Sequence, residues 1–146
     1  FYAAIQGELR LERLMSDAIL AGKRVGLPRF DVENARYVAA IVQSLSALQK
    51  AQFGILEPAS HASIIPMEQL DLVLVPGVAF DCGGGRLGRG KGFYDRLLES
   101  VRAVKCGVAL DHQIEADLPR EPHDLAMNCI VTPSRWINVP VSAGSK

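Results

Sequence analysis

The stretch DLVLVPGVAFDCGGGRLGRGKGFYDRLL, residues 71–98, decides the fold. Leu72, Val73, Leu74 and Val75 run without alternation up to Pro76 and Gly77, which predicts a strand covered on both faces, as in a parallel sheet. Past the glycines, Tyr94, Leu97, Leu98 and Val101 recur at i, i+3, i+4 and i+7, the apolar stripe of a helix. The glycine-rich segment is therefore predicted at a strand-to-helix junction, where the first helical amides lack intrahelical partners and favour an anion. Gly88, Gly90 and Gly92 let the main chain come close to that anion, and Arg86, Arg89 and Lys91 add positive charge. Residues 86–105 carry six Lys or Arg against two Asp or Glu, a net of +4, in a chain whose 16 basic and 16 acidic residues cancel. Such a loop predicts a polyphosphate ligand.

Two phosphate-binding patterns fit in part. Gly83, Gly85 and Gly88 satisfy G-x-G-x-x-G, but the match ends before the predicted helix opens, which is weak support for a dinucleotide site. Residues 85–91 read G-x-x-x-x-G-K, yet Gly92 stands where a P-loop has the Ser or Thr that holds magnesium. A metal at this loop would need a carboxylate, and Asp95, at the start of the helix, is nearest in sequence. The competing reading of Asp95 is a first-turn acid favoured by the helix dipole.

The same stretch resembles the signature of the 5-formyltetrahydrofolate cyclo-ligase family, also called methenyltetrahydrofolate synthetase. Further landmarks recur in order: GELRLERL at 7–14 and GKRVGLPR at 22–29 resemble the acid-bearing helix and first sheet strand of these enzymes. FGILEP at 53–58 resembles the segment under the folate pocket, and LPREPHDLAMNCIVTP at 118–133 resembles the late His-Asp motif. The resemblance implies a Rossmann-like, three-layer α/β/α sandwich with a mainly parallel sheet, similar to the NagB/RpiA/CoA transferase-like fold. It implies conversion of 5-formyltetrahydrofolate to 5,10-methenyltetrahydrofolate with ATP as cosubstrate and magnesium. The formyl oxygen would attack the γ-phosphate, and the second folate nitrogen would then close the ring as phosphate leaves.

By motif, the resemblance assigns the nucleotide loop to Arg86, Leu87, Gly88, Arg89, Gly90, Lys91, Gly92, Phe93 and Tyr94. Arg89, Gly90, Lys91, Gly92 and Phe93 would also face the folate, and Arg89, Lys91 and Tyr94 would be catalytic. Asp95 and Asp124 would hold magnesium, and Glu8 would hold the pterin ring. Read without the resemblance, Glu8 is equally a first-turn helix acid. Phe53 is a candidate to stack on the substrate, against the alternative of a core aromatic. Members commonly show two tyrosines where this chain has Phe93 and Tyr94, which puts one phenolic hydroxyl, and with it rate or affinity, in doubt. Members also usually begin with a basic K-x-x-L-R helix that contacts the nucleotide. Here the sequence opens at Phe1 and Tyr2, as expected of a trimmed chain or of one without that helix.

Composition sets outer bounds. With 146 residues, 49% hydrophobic and 22% charged, the sequence predicts one globular domain with a real core and no membrane span. Cys82, Cys106 and Cys129 lack C-x-x-C spacing, so they are expected to be plain thiols in a reducing cytoplasm. His61 and His112 are expected as ordinary surface residues. Neutral overall charge with one basic patch favours a small anionic ligand over nucleic acid, and a monomer is expected. Leu11, Leu14, Met15, Ala18 and Ile19 predict a helix closed by Gly22, and residues 23–28 a strand. Residues 35–52 permit a helix by periodicity, while the resemblance implies a strand near 37–42 followed by a looser connection. Residues 104–110 and 129–131 predict later strands, and 142–146 a frayed tail. Two other functions stay open: a dinucleotide-binding oxidoreductase, with Asp111 after strand 104–110 as its ribose acid, and a noncatalytic folate or nucleotide binder.

Overall fold

The computed structural model describes residues 1–51 and 54–140. The fold is mixed α/β, and its residues group into two compact units, Phe1–Leu70 with Ser100–Arg102, and Asp71–Glu99 with the segment from Ala103 onward.

The first unit opens with helix α1 (Glu12–Leu20). Leu11, Met15, Ala18 and Ile19 face inward as their spacing predicts, but Leu14 is exposed, because a nine-residue helix presents only a narrow stripe to its sheet. The helix ends at Gly22, whose amide donates to the Ile19 carbonyl (2.9 Å) while the Lys23 amide donates to Ala18 (3.0 Å). Strands β1 (Gly26–Asp31) and β2 (Arg36–Ile41) form an antiparallel hairpin in register Gly26↔Ile41 to Asp31↔Arg36. Periodicity alone had allowed a helix over β2; the β-branched and aromatic content of RYVAAI settles as strand once paired. β1 begins at Gly26, later than residue 23, and as the edge strand of its sheet it tolerates Pro28. Two-residue strands β3 (Gln49–Lys50) and β4 (Leu56–Glu57) pair with each other, and β5 (Ile64–Ile65) pairs with β2. Met15, Val25, Leu27 and Val42 form the core of this unit, closed over by Phe1, Ile19, Leu45 and Leu48. Each such buried aliphatic side chain contributes about 1.5–3 kcal/mol.

The second unit contains β6 (Leu72–Pro76), β7 (Ala79–Asp81), β8 (Arg86–Leu87), helix α2 (Phe93–Leu98), β9 (Val104–Val108), β10 (Ile114–Glu115), β11 (Cys129–Val131) and β12 (Trp136–Asn138). Its four-stranded sheet has the order β12-β11-β9-β6, and a three-stranded sheet has the order β10-β7-β8. β6–β9, β9–β11 and β7–β10 run parallel; β7–β8 and β11–β12, like the strand pairs of the first unit, run antiparallel. The parallel character expected of the sheet thus holds for β6, β9 and β11, and short hairpins supply the rest. Val73, Leu74 and Val75 are buried, but Leu72, the first residue of β6, is half exposed, as is its register partner Val104 at the same end of the sheet.

Two further expectations change here. β6 does not lead straight to the glycine loop, because the β7–β8 hairpin intervenes; the junction with the helix is made by β8. Helix α2 stops at Leu98, so Val101, though buried, lies beyond it.

Candidate functional site

The glycine-rich segment divides into two structures. Residues 83–85 form a turn between β7 and β8 that wraps around Asp81, a side chain with only 2% of its surface exposed. The Gly83 and Gly85 amides donate to Asp81 Oδ1 at 2.8 and 2.9 Å, the Leu118 amide donates to Oδ2 at 3.1 Å, and Arg120 Nη2 donates to Oδ1 at 2.6 Å. Burial opposes ionisation of this carboxyl, but the hydrogen bonds from Gly85 and Leu118 and the Arg120 guanidinium outweigh it and hold it below the ordinary value. The close approach excludes larger residues: a Cβ on Gly85 would collide with Asp81 Oδ2 and stand 2.9 Å from Arg120 Nε.

This geometry removes the basis for a dinucleotide site. In G-x-G-x-x-G the amides must be available to a pyrophosphate, whereas those of Gly83 and Gly85 already bind the protein's own carboxylate. Asp111, the acid that reading needs, accepts hydrogen bonds from Thr132 Oγ1 (2.5 Å) and Ser134 Oγ (2.6 Å).

The second structure is the loop 88–92 between β8 and α2. Gly90 (φ +80°) and Gly92 (φ +59°) both occupy the left-handed region, from which anion-binding concavities of successive amides are built. Arg89, Gly90 and Lys91 are exposed, and a Cβ on Gly90 would meet nothing within 4 Å. Since α2 has only six residues, its aligned peptide dipoles are few, and most of the attraction for an anion must come from the loop's amides and cations.

Arg86 behaves differently from its neighbours. Its side chain is 7% exposed, donates to the Pro76 carbonyl (3.3 Å) and pairs with Asp95 Oδ1 (3.5 Å). Its guanidinium carbon lies 5.4 Å from the centre of the Tyr94 ring, a cation–π arrangement. Tyr94 in turn meets Phe93 edge to face at 4.8 Å. The structure therefore brings Arg86, Phe93, Tyr94 and Asp95 together at the base of the loop, with Arg86 turned inward.

Asp124 lies in a surface turn, its Oδ2 accepting the Glu121 amide (2.7 Å) and its Oδ1 3.9 Å from His123 Nε2. Asp95 pairs with Arg86 while Asp124 is held in its own turn, and among the described residues no group of three or more His, Cys, Asp or Glu is gathered to hold a metal. Magnesium is usually held by one or two acids plus phosphate oxygens and retained water, so it needs no larger cluster of protein ligands.

Glu8 belongs to the first unit and is not helical, since α1 begins only at Glu12; it closes a turn in which the Ile5 amide donates to its Oε2 (3.1 Å). Tyr2, missed in the sequence, secures this segment: it is buried, and its hydroxyl donates to the Leu9 carbonyl (2.9 Å). Burial, then the charges of Glu8 and Glu12, push its phenol well above its ordinary value. Asp81 and Arg120 were missed as well. FD before three glycines is the signal that points to Asp81, but nothing in the sequence places Arg120 beside it. Phe53 lies outside the described residues. Cys82 is exposed, while Cys106 and Cys129 are buried register partners on β9 and β11. Burial and the neighbouring Cys129 push the Cys106 thiol up to about 12.

Comparison with known proteins gives consistent findings. Residues 1–133 match the model of the 5-formyltetrahydrofolate cyclo-ligase family. The chain is 36% identical over 141 residues to the 5-formyltetrahydrofolate cyclo-ligase of Escherichia coli (strain K12), covering 92% of this chain and 76% of that enzyme. It is 42% identical over 95 residues to the cyclo-ligase of Mycolicibacterium smegmatis, a match to 62% of this chain that spans about half, 48%, of that enzyme. Among solved structures, the 5,10-methenyltetrahydrofolate synthetase of Aquifex aeolicus superimposes with a TM-score of 0.84 at 36% identity, covering 99% of this chain and 73% of that one. The synthetase of Mycoplasma pneumoniae shares the fold at 22% identity, with a TM-score of 0.66 over 96% of this chain and 71% of that one.

Proposed function

The chain belongs to the 5-formyltetrahydrofolate cyclo-ligase family, and from that premise we propose that it closes 5-formyltetrahydrofolate to 5,10-methenyltetrahydrofolate at the expense of ATP, releasing ADP and phosphate. The observation that carries the reading is the exposed cationic loop 88–92 that leads into the helix carrying Asp95, which Arg86 holds from within.

A formamide oxygen is a weak nucleophile and a poor leaving group, so ring closure needs it activated. In the proposed reaction that oxygen attacks the γ-phosphorus and the bond to ADP breaks. N10 then attacks the imidate carbon, phosphate departs with the former formyl oxygen, and N10 loses its proton. Phosphoryl transfer asks of a protein mainly positioning and charge neutralisation. The amides of 88–92 would cradle the phosphates, and Arg89 and Lys91 would offset charge that builds as the bond to ADP lengthens. Tyr94 would position the loop from below together with Arg86. Asp95 and Asp124 would hold magnesium, which when bound neutralises and orients the phosphates. Glu8, an acceptor near the start of the chain, suits the N–H groups of a pterin ring.

The same reading takes residues 1–146 as one catalytic domain of three-layer α/β/α order, monomeric and cytoplasmic. Three thiols without a disulfide agree with a reducing compartment, and no helix among the described residues is long and apolar enough to cross a membrane. Phe93, in place of a tyrosine, favours one second reading, a homologue that binds folate and nucleotide without turnover.

A single assay separates the two. Protein, 5-formyltetrahydrofolate, ATP and magnesium are mixed and the near-ultraviolet absorbance of the methenyl product is followed. Growth that requires ATP supports the cyclo-ligase; binding of both ligands without product supports the second reading and contradicts the first.

A further inference from the structure

We propose that Asp81 and Arg120 are positioning residues for the nucleotide site, fastening the segment that carries Asp124 to the turn that feeds the loop 88–92. The inference rests on the cyclo-ligase reading and deepens it. One buried carboxylate spans two stretches of chain distant in sequence. On one side it takes the Gly83 and Gly85 amides, in the turn that enters β8 and then the loop. On the other it takes the Leu118 amide and the Arg120 guanidinium, a few residues before Asp124. β10 also pairs in parallel with β7 up to Glu115↔Asp81, so the chain arrives at Leu118 already beside the carboxylate.

Each part looks committed to this one arrangement. A Cβ on Gly83 would stand 2.5 Å from Arg120 Nη2 and push the guanidinium aside, and one on Gly85 would collide with Asp81 Oδ2. Gly84 adds one hydrogen bond across the same junction, its carbonyl accepting the Met127 amide at 2.9 Å. The segment 116–127 has little regular structure of its own, so the position of Asp124 depends on such tethers. Neither Asp81 nor Arg120 need touch a ligand. Groups that orient metal ligands from behind typically matter by about 10–100-fold in metal affinity or activity.

The test uses Asp81→Asn, Arg120→Met and Arg120→Lys in the full chain. Titration calorimetry with Mg·ADP is combined with steady-state KM values for Mg·ATP and for 5-formyltetrahydrofolate. Asp81→Asn and Arg120→Met should weaken Mg·ADP binding and raise the KM for Mg·ATP about tenfold or more, with the folate KM unchanged; Arg120→Lys, which keeps the charge, should recover most of the loss. If Asp81→Asn does not fold, Arg120→Met, altered at a 40% exposed side chain, carries the test alone. Parent-like Mg·ADP affinity in the folded variants overturns the positioning role, as does an equal rise in both KM values. A parent chain that neither binds Mg·ADP nor forms product overturns the cyclo-ligase reading itself, and the inference with it.

Discussion

Two glycine clusters stand on either side of β8, and they do opposite things. In the turn 83–85 the amides converge on a carboxylate supplied by the protein; in the loop 88–92 the left-handed glycines lie among exposed cations, and a Cβ on Gly90 would meet nothing within 4 Å. The chemistry of the amides is alike. The first cluster binds the protein's own carboxylate, and the second is the one proposed to hold the phosphates.

The contrast breaks most visibly through charge. Lys91→Ala removes a cation from the loop and should lower kcat/KM about 10²–10³-fold, as measured by steady-state kinetics. Asp95→Asn should come next: the magnesium concentration giving half-maximal rate should rise about 10–100-fold, read from a metal titration at saturating ATP. Equal turnover of both variants and the parent contradicts the assignment of the site.

A pair of matched substitutions sharpens the comparison further. Gly85→Ala forces a methyl group against Asp81 and should cost about 1–3 kcal/mol of stability in denaturant unfolding. Gly90→Ala meets no atom within 4 Å and bears only the strain of a left-handed backbone, about 1 kcal/mol, so its effect should show in the KM for ATP instead. The smallest effect concerns pH. Because the folded Asp81 carboxyl lies below its ordinary value of 3.8, its contribution to stability is present above that value and is lost as pH falls through the folded one. The melting temperature should therefore fall on acidification below about pH 4, and less steeply in Asp81→Asn.

Much of the frame can be read in the residues alone. β6 and β11 are uninterrupted apolar runs, β9 is apolar but for Lys105, and α1 has both its stripe and its terminal glycine, so local pattern and tertiary placement agree. The short strands β3, β4, β5, β8 and β10 were not legible, since two residues have no period. The division of the glycines was hidden for another reason: it depends on Asp81 meeting Leu118 and Arg120, partners 37 and 39 residues away. Arg86 shows the same limit at the site. Its sequence position groups it with Arg89 and Lys91, but packing under Tyr94 turns its guanidinium to Asp95 and Pro76. Glu8 was legible as a candidate acid, while its place in a turn before α1 follows from the anchoring of Tyr2.

The most direct test follows backbone amides by NMR as Mg·AMP-PNP is added to the protein. The amides of Gly88, Gly90 and Gly92 should shift with saturable, common affinity, and those of Gly83 and Gly85, held by Asp81, should stay nearly where they were. Large shifts at Gly83 and Gly85 with the loop 88–92 unmoved would place the phosphates on the wrong cluster and contradict the account.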